Sequence, residues 1–116
     1  AMASPANAVQ YRVTRESASS VRAFAVQADG IEIELGPPVG PVGFEIGSDN
    51  LEGGPGIGSL ALARAILFDL LRDAIAADFH HRQLAADMLM PIPLKIGEEV
   101  VFQAHAIHDW IQARYA

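Results

Sequence analysis

The sequence predicts an α+β domain, in which a small antiparallel β-sheet of three or four strands packs on a long buried central helix. One or two further helices are expected towards the C-terminus. Strict alternation of apolar and acidic residues over Ile31–Leu35 predicts a strand, and a broad apolar helical pattern covers Ser59–Ala77. Apolar residues recur at helical spacing again between Gln103 and Tyr115. Strands therefore precede helices along the chain, an order typical of the α+β class.

The composition predicts one domain with a substantial core. The chain has 116 residues, of which 51% are hydrophobic and 19% charged. This length is close to the commonest domain size, and the charged fraction is below the usual quarter. We assign residues 9–116 to the domain and residues 1–8 to a disordered leader or expression scar. The excess of apolar residues predicts a homodimer, and a monomer rich in alanine is the alternative.

Charge and cysteine content exclude several classes of function. A net charge of −6 argues against a nucleic-acid partner, which requires clustered lysine and arginine. The absence of cysteine removes disulfides and thiolate sites and suits a cytoplasmic location. The apolar run Leu60–Leu71 is too short to cross a bilayer and contains Arg64 and Asp69, so no membrane association is expected. No cofactor is expected.

The first half of the chain predicts a meander of strands. Tyr11–Arg15 alternates and carries arginines that suit an edge strand. Val21–Gln27 predicts a second strand, whose buried face the pattern leaves ambiguous. The pair Asp29-Gly30 is typical of a tight hairpin leading into Ile31–Leu35, with apolar side chains inward and acidic ones outward.

A proline- and glycine-rich connection follows the hairpin. Residues 36–43 contain three prolines and three glycines, which predicts a semi-rigid link. Phe44–Gly47 is a candidate for a short fourth strand, and a polar, glycine-rich loop leads from it to the helix. Ser59 is expected to cap that helix, because its hydroxyl can accept from an unpaired amide one turn on.

The remainder of the chain predicts shorter elements. Residues 78–90 are compatible with a second helix, which Pro91 and Pro93 must end. Residues 94–102 predict either a short strand or an extended arm. The final segment is a short amphipathic helix in which Trp110 is expected to pack against the body of the protein.

Several of these residues occur in an order that resembles a known family. The order is Phe44-Glu45 and Gly47, then a Gly-Pro turn before the alanine-leucine run from Leu60, and finally Ile107 with Trp110-Ile111. It resembles domain-of-unknown-function family 6166, found in small bacterial and phage proteins. The resemblance covers roughly Phe44 to the C-terminus and implies a β-meander, an alanine-leucine helix and a closing helix that contains tryptophan. It implies no activity.

The glycine-rich turn is the first candidate site. Free amides at a helix start attract anions, so a small anionic ligand could bind there. Arg64, at the border of the apolar face, could reach back to share it, or could instead pair with an acidic residue. The turn lacks the lysine of a P-loop, and its glycines could serve only to bend the chain. The candidate residues are Gly54, Gly56, Gly58, Ser59 and Arg64.

The histidines form the second candidate site. His105 and His108 are three residues apart, so that both can lie on one helical face and hold a transition metal. No third ligand stands at a recognised spacing, and exposed or capping histidines are the alternative. The adjacent His80 and His81 would point about 100° apart in a helix.

The third candidate is an interaction surface in the C-terminal half. Methionine adapts to irregular partners, and prolines hold an extended ridge. Filling of the core is the alternative for the same side chains. The candidate residues are Met88, Met90, Ile92 and Trp110.

These observations lead to one principal hypothesis for function and two alternatives. The principal hypothesis is a non-enzymatic module that binds an unknown protein partner, with bacterium–phage conflict as its proposed setting. The alternatives are a binder of a small anion at the glycine-rich turn and a metal-dependent enzyme using the histidines.

Overall fold

The computed structural model describes residues 8–17, 20–36, 44–45 and 58–114. These residues form an antiparallel sheet and three α-helices, which confirms the α+β class. The strands are β1 (Ala8–Arg15), β2 (Ser20–Gln27), β3 (Glu32–Leu35), β4 (Phe44–Glu45) and β5 (Glu99–Gln103). The helices are α1 (Gly58–Leu71), α2 (Ala74–Leu84) and α3 (Ala104–Arg114), and a π-helical turn, Ala85–Leu89, extends α2. Of the predicted leader over residues 1–8, only Ala8 lies within the described residues.

The strand order is β3-β2-β1-β5, and the two-residue β4 pairs with the beginning of β2. The strand predicted at an edge, Tyr11–Arg15, is therefore central. Arg12 lies on the open face, where it bonds to Glu32 of β3. Arg15 is buried and donates to the carbonyls of Ser17 and Leu94. Both guanidiniums have partners within the protein. The presence of arginines in this segment therefore did not indicate an edge strand.

The hairpin between β2 and β3 confirms the prediction from Asp29-Gly30. Gly30 has φ +90°, a conformation that glycine adopts without steric cost. The amide of Ile31 donates to Asp29 Oδ1 at 3.0 Å, and the amide of Gln27 donates to the Ile31 carbonyl at 2.9 Å. The predicted alternation holds only in part: Leu35 is buried, but Ile31 and Ile33, expected to face inward, are 56% and 50% exposed because β3 ends the strand order.

The core lies between the sheet and the helices. β2 presents Val21, Ala23 and Ala25 to this side, which resolves the ambiguity of its pattern. Small alanines in the strand allow a helix to approach the sheet closely. The helical side of the core is formed chiefly by α1, with Leu62, Ala63, Ile66, Leu67 and Leu70 all buried.

The single helix predicted over Ser59–Ala77 is divided into α1 and α2. Arg72 has φ +53°, a left-handed conformation that ends α1. Asp73 is extended, and its Oδ1 accepts from the amides of Ile75 and Ala76, which begins α2. Apolar periodicity alone did not reveal the break, because residues on both sides of it face the same core.

The C-terminal half joins the helices back to the sheet. α2 and the π-helical turn occupy most of the region compatible with a second helix, and the turn that follows contains Pro91. β5 then pairs with β1 from Glu99 to Gln103, so the strand alternative for residues 94–102 is confirmed in part. α3 follows without a break, and Trp110 packs against the edge of the core. None of the helices in the described part of the chain has both the length and the apolarity needed to cross a membrane.

Candidate binding groove between the sheet edge and the first helix

An open cavity of about 560 Å³ lies beside α1, at the end of the sheet formed by β3. We call it the binding groove. Its volume is within the range of sites that bind small molecules or side chains of a partner. The residues that line it are Glu34, Leu35, Gly36, Ala61, Arg64, Ala65, Phe68, Asp69, Arg72 and Ala74.

One flank of α1 forms the apolar wall of the groove. Ala61, Ala65 and Phe68 are spaced four and three residues apart, so they share a side of the helix. The two alanines leave space where larger side chains would fill it. Phe68 stands beside that space and is 47% exposed. A helix flank with small residues and an exposed aromatic ring therefore faces the free end of the sheet.

Arg64 contributes the first of two guanidinium groups to the groove. Its Nε donates to Asp78 Oδ1 of α2 at 2.5 Å. The two terminal nitrogens make no hydrogen bond to any described residue. The prediction that Arg64 pairs with an acidic residue is thus confirmed, with Asp78 as its partner. Because only Nε is engaged, the outer edge of the guanidinium keeps its capacity to donate.

Arg72 contributes the second guanidinium from the junction between α1 and α2. Its left-handed backbone is unfavourable for a residue with a side chain. Nη2 donates to Asp69 Oδ1 at 3.3 Å, one turn earlier on α1. Within the described part of the chain, the other guanidinium nitrogens of Arg72 have no acceptor.

The carboxylates of the groove already have donors. Asp69 Oδ2 accepts from the hydroxyl of the buried Tyr11 at 2.8 Å. Burial, followed by the charge of Asp69, raises the pKa of Tyr11 far above its ordinary range, so the phenol stays protonated and continues to donate. Glu34 accepts from Arg22 at 2.7 and 2.5 Å. These bonds hold the pKa of Glu34 below its ordinary value.

The predicted anion site at the glycine-rich turn lies only partly within the described residues. Gly54 and Gly56 lie outside the described residues, and Gly58 is the first residue of α1. Ser59 is inside the helix, not its cap; it is fully buried, and its hydroxyl bonds to no described residue. Ser59 does not line the groove, whereas Arg64 does. Anion binding at the turn stays a prediction.

The histidines predicted to bind a metal lie on the surface of α3. His105 and His108 are both exposed in its first half. No group of three histidine, aspartate or glutamate side chains suited to a metal occurs among the described residues. The buried histidine is His80, whose ring is 5.0 Å from Phe79 and 6.1 Å from Trp110. Burial, and then the charge of Arg114, lower the pKa of His80.

The residues predicted as an interaction surface are half-buried. Met88, Met90, Ile92 and Trp110 all pack against the core, the arrangement that the core-filling alternative described. Trp110 also donates from Nε1 to Asp87 Oδ2 at 3.0 Å, and the Arg114 guanidinium lies 5.0 Å from its ring. Interaction through this surface stays a prediction.

The more exposed apolar side chains stand elsewhere in the described chain. They include Ile31 and Ile33 at the β3 edge, Phe68 beside the groove, and Ile75 and Phe79 on α2. Sequence reasoning missed Ile75, because it lies just beyond the break at Arg72, which the apolar pattern did not reveal. It found Arg64 from its place on the helix. It missed Arg72, Asp69 and Glu34, because the groove assembles only when β3 and α1 come together.

A scan against models of protein families, a search of curated proteins and a search of solved structures each found no match to this chain. The resemblance to domain-of-unknown-function family 6166 therefore stays a prediction.

Proposed function

We propose that this chain is a non-enzymatic module that binds an extended segment of a partner protein in the binding groove. The observation that supports the proposal is the position of the groove between an edge strand and a helix flank. We place the module in the bacterial cytoplasm, with conflict between bacterium and phage as its setting. That setting rests on the predicted family resemblance and on the absence of cysteine.

The edge of β3 supports binding of a strand from another chain. β3 ends the strand order, and no described strand pairs with its outer side. Backbone groups on such an edge can pair with an added strand, while pockets beside it select alternate side chains. Ile31 and Ile33 are 56% and 50% exposed, which adds apolar area for a partner to cover.

A display selection with groove variants tests this proposal. A phage-displayed library of random twelve-residue peptides is selected on the wild-type chain. Enriched peptides are then synthesised and titrated by fluorescence anisotropy. Ala65→Trp places a large ring in the groove, whereas Ala113→Trp puts the same ring on the exposed end of α3. Both variants are first checked by thermal unfolding, so that a folding defect is recognised.

The proposal expects peptides that bind the wild type and Ala113→Trp alike and bind Ala65→Trp at least roughly tenfold more weakly, since the added ring occupies their place. Peptides that bind all three proteins equally would show that the groove is not the binding site. A selection that yields no binder would have the same meaning.

A further inference from the structure

We infer that the segment recognised by the groove carries a carboxylate flanked by apolar side chains, and that Arg64 and Arg72 receive that carboxylate. This inference rests on the proposed function and adds the chemistry of the partner. The occupant is an acidic, extended segment of another protein. Two features of the groove support this occupant: the unused hydrogen-bond donors of its arginines and the apolar surface of its wall.

The unused capacity is for donation. Arg64 engages only Nε within the described part of the chain, and Arg72 engages only Nη2. Each guanidinium has five N–H donors, so each retains several for a ligand. Carboxylate oxygens match the fork of a guanidinium and form charge-assisted bonds that are about twice as strong as neutral ones.

The acceptors of the groove have less unused capacity than its donors. Asp69 holds the Tyr11 hydroxyl on one oxygen and Arg72 on the other. Glu34 holds two nitrogens of Arg22. Each carboxylate thus uses about half of its acceptor sites, whereas each guanidinium uses only one of its five N–H donors. The groove therefore favours an anionic ligand over a cationic one, even though the whole chain has a net charge of −6.

The geometry of β3 suggests how the acidic residue is flanked. In an added strand, successive side chains point to opposite faces, so residues two apart lie on the helical side about 6.5–7 Å from one another. If the carboxylate of the added strand lies towards the arginines, the side chains two residues before and after it lie near Phe68 and the alanines of α1. These surfaces are apolar, and they favour apolar side chains on either side of the acidic one.

The test uses the peptides selected above. The inference expects a glutamate or aspartate between apolar residues at alternate positions. In a synthetic selected peptide, replacing that acidic residue by its amide should weaken binding to the wild-type chain roughly tenfold. This comparison leaves the protein unchanged, so protein folding cannot explain the loss.

Three charge variants complete the test. Arg64→Gln removes one receiving guanidinium, and Arg72→Asn removes the other while keeping a residue that tolerates the left-handed conformation. Each is expected to weaken binding of the acidic peptide roughly tenfold and to leave its amide counterpart unchanged. The control is Arg82→Gln, which removes the same charge from an exposed position on α2 outside the groove and should have little effect.

Two results would overturn the inference in different ways. Peptides that lose binding in Ala65→Trp but contain no required acidic residue, or that bind Arg64→Gln and Arg72→Asn as tightly as the wild type, refute the acidic ligand alone. Peptides whose binding ignores Ala65→Trp, or a selection without binders, refute the proposed function as well.

Discussion

At the scale of single residues, the Tyr11 hydroxyl links the centre of the sheet to the wall of the groove. It donates to Asp69 Oδ2 at 2.8 Å from a side chain without solvent exposure. Tyr11→Phe removes this charge-assisted bond, and we expect the free energy of unfolding at pH 7 to fall by about 1.5–3 kcal/mol. Urea unfolding measures the loss. A change below about 0.5 kcal/mol would show that water replaces the hydroxyl fully.

The same residue predicts a dependence of stability on alkaline pH. The pKa of Tyr11 is raised in the folded chain by burial and by Asp69, whereas in the unfolded chain it is ordinary, near 10. The folded state therefore binds more protons above that pH, and stability decreases as pH rises through about 10. In Tyr11→Phe this part of the decrease should disappear when unfolding is measured from pH 8 to pH 11.

At the scale of elements, one side chain caps the start of α2 after the break. Asp73 Oδ1 accepts from the amides of Ile75 and Ala76 at 3.0 and 3.1 Å, which satisfies donors that the start of α2 would otherwise leave free. Asp73→Ala should lower the free energy of unfolding by about 1 kcal/mol, and Asp73→Asn should retain most of it. In urea unfolding, equal stability of the two variants would contradict the capping role.

The hairpin and the break show what local sequence could and could not predict. Asp29-Gly30 predicted the turn from local features alone. The Asp29 side chain accepts from the amide of Ile31, and Gly30 adopts the positive φ that the turn requires. At Arg72 no glycine marked the left-handed residue, and the apolar pattern continued on both sides. Asp73 was a usable N-cap signal, but it stood within an unbroken periodicity. The position of β1 depended on β5, which is more than eighty residues away in the chain.

The groove was predictable only in part, for the same reason. Arg64 could be identified from the helix alone, as a charged residue at the border of an apolar face. Its neighbour Arg72 enters the groove because α1 ends there. Glu34 enters because β3 is the end of the sheet. Such neighbours are set by tertiary packing, which spacing in the sequence does not encode.

At the scale of the whole molecule, the contact of α2 with α3 predicts sensitivity to acid. Burial and then Arg114 lower the pKa of His80, so the unfolded chain, with an ordinary histidine pKa near 6.5, binds the proton first. The contribution of the neutral His80 to stability is therefore fully present above about pH 6.5 and is lost as the pH falls below that value. Thermal unfolding between pH 7.5 and pH 5.5 measures this loss.

The variant His80→Gln should show a smaller decrease in melting temperature over that interval, because the substituted residue does not titrate. His105→Gln, at an exposed position on α3, is the matched control and should keep the wild-type decrease. If His80→Gln and the wild type lose the same number of degrees, protonation of His80 does not contribute.

The homodimer predicted from composition has its own test on the outer face of α2. Ile75 and Phe79 are four residues apart, on one side of the helix, and are 82% and 66% exposed. In a dimer formed through this face, each copy presents the same apolar pair, as a twofold interface requires.

The double variant Ile75→Gln, Phe79→Gln should then reduce the mass measured by light scattering from about twice 12.4 kDa to 12.4 kDa. The matched double variant Ile96→Gln, Val101→Gln removes exposed apolar area elsewhere and should remain dimeric. A wild-type mass of 12.4 kDa at millimolar concentration would refute the dimer, and a dimer that survives the α2 substitutions would place its interface elsewhere.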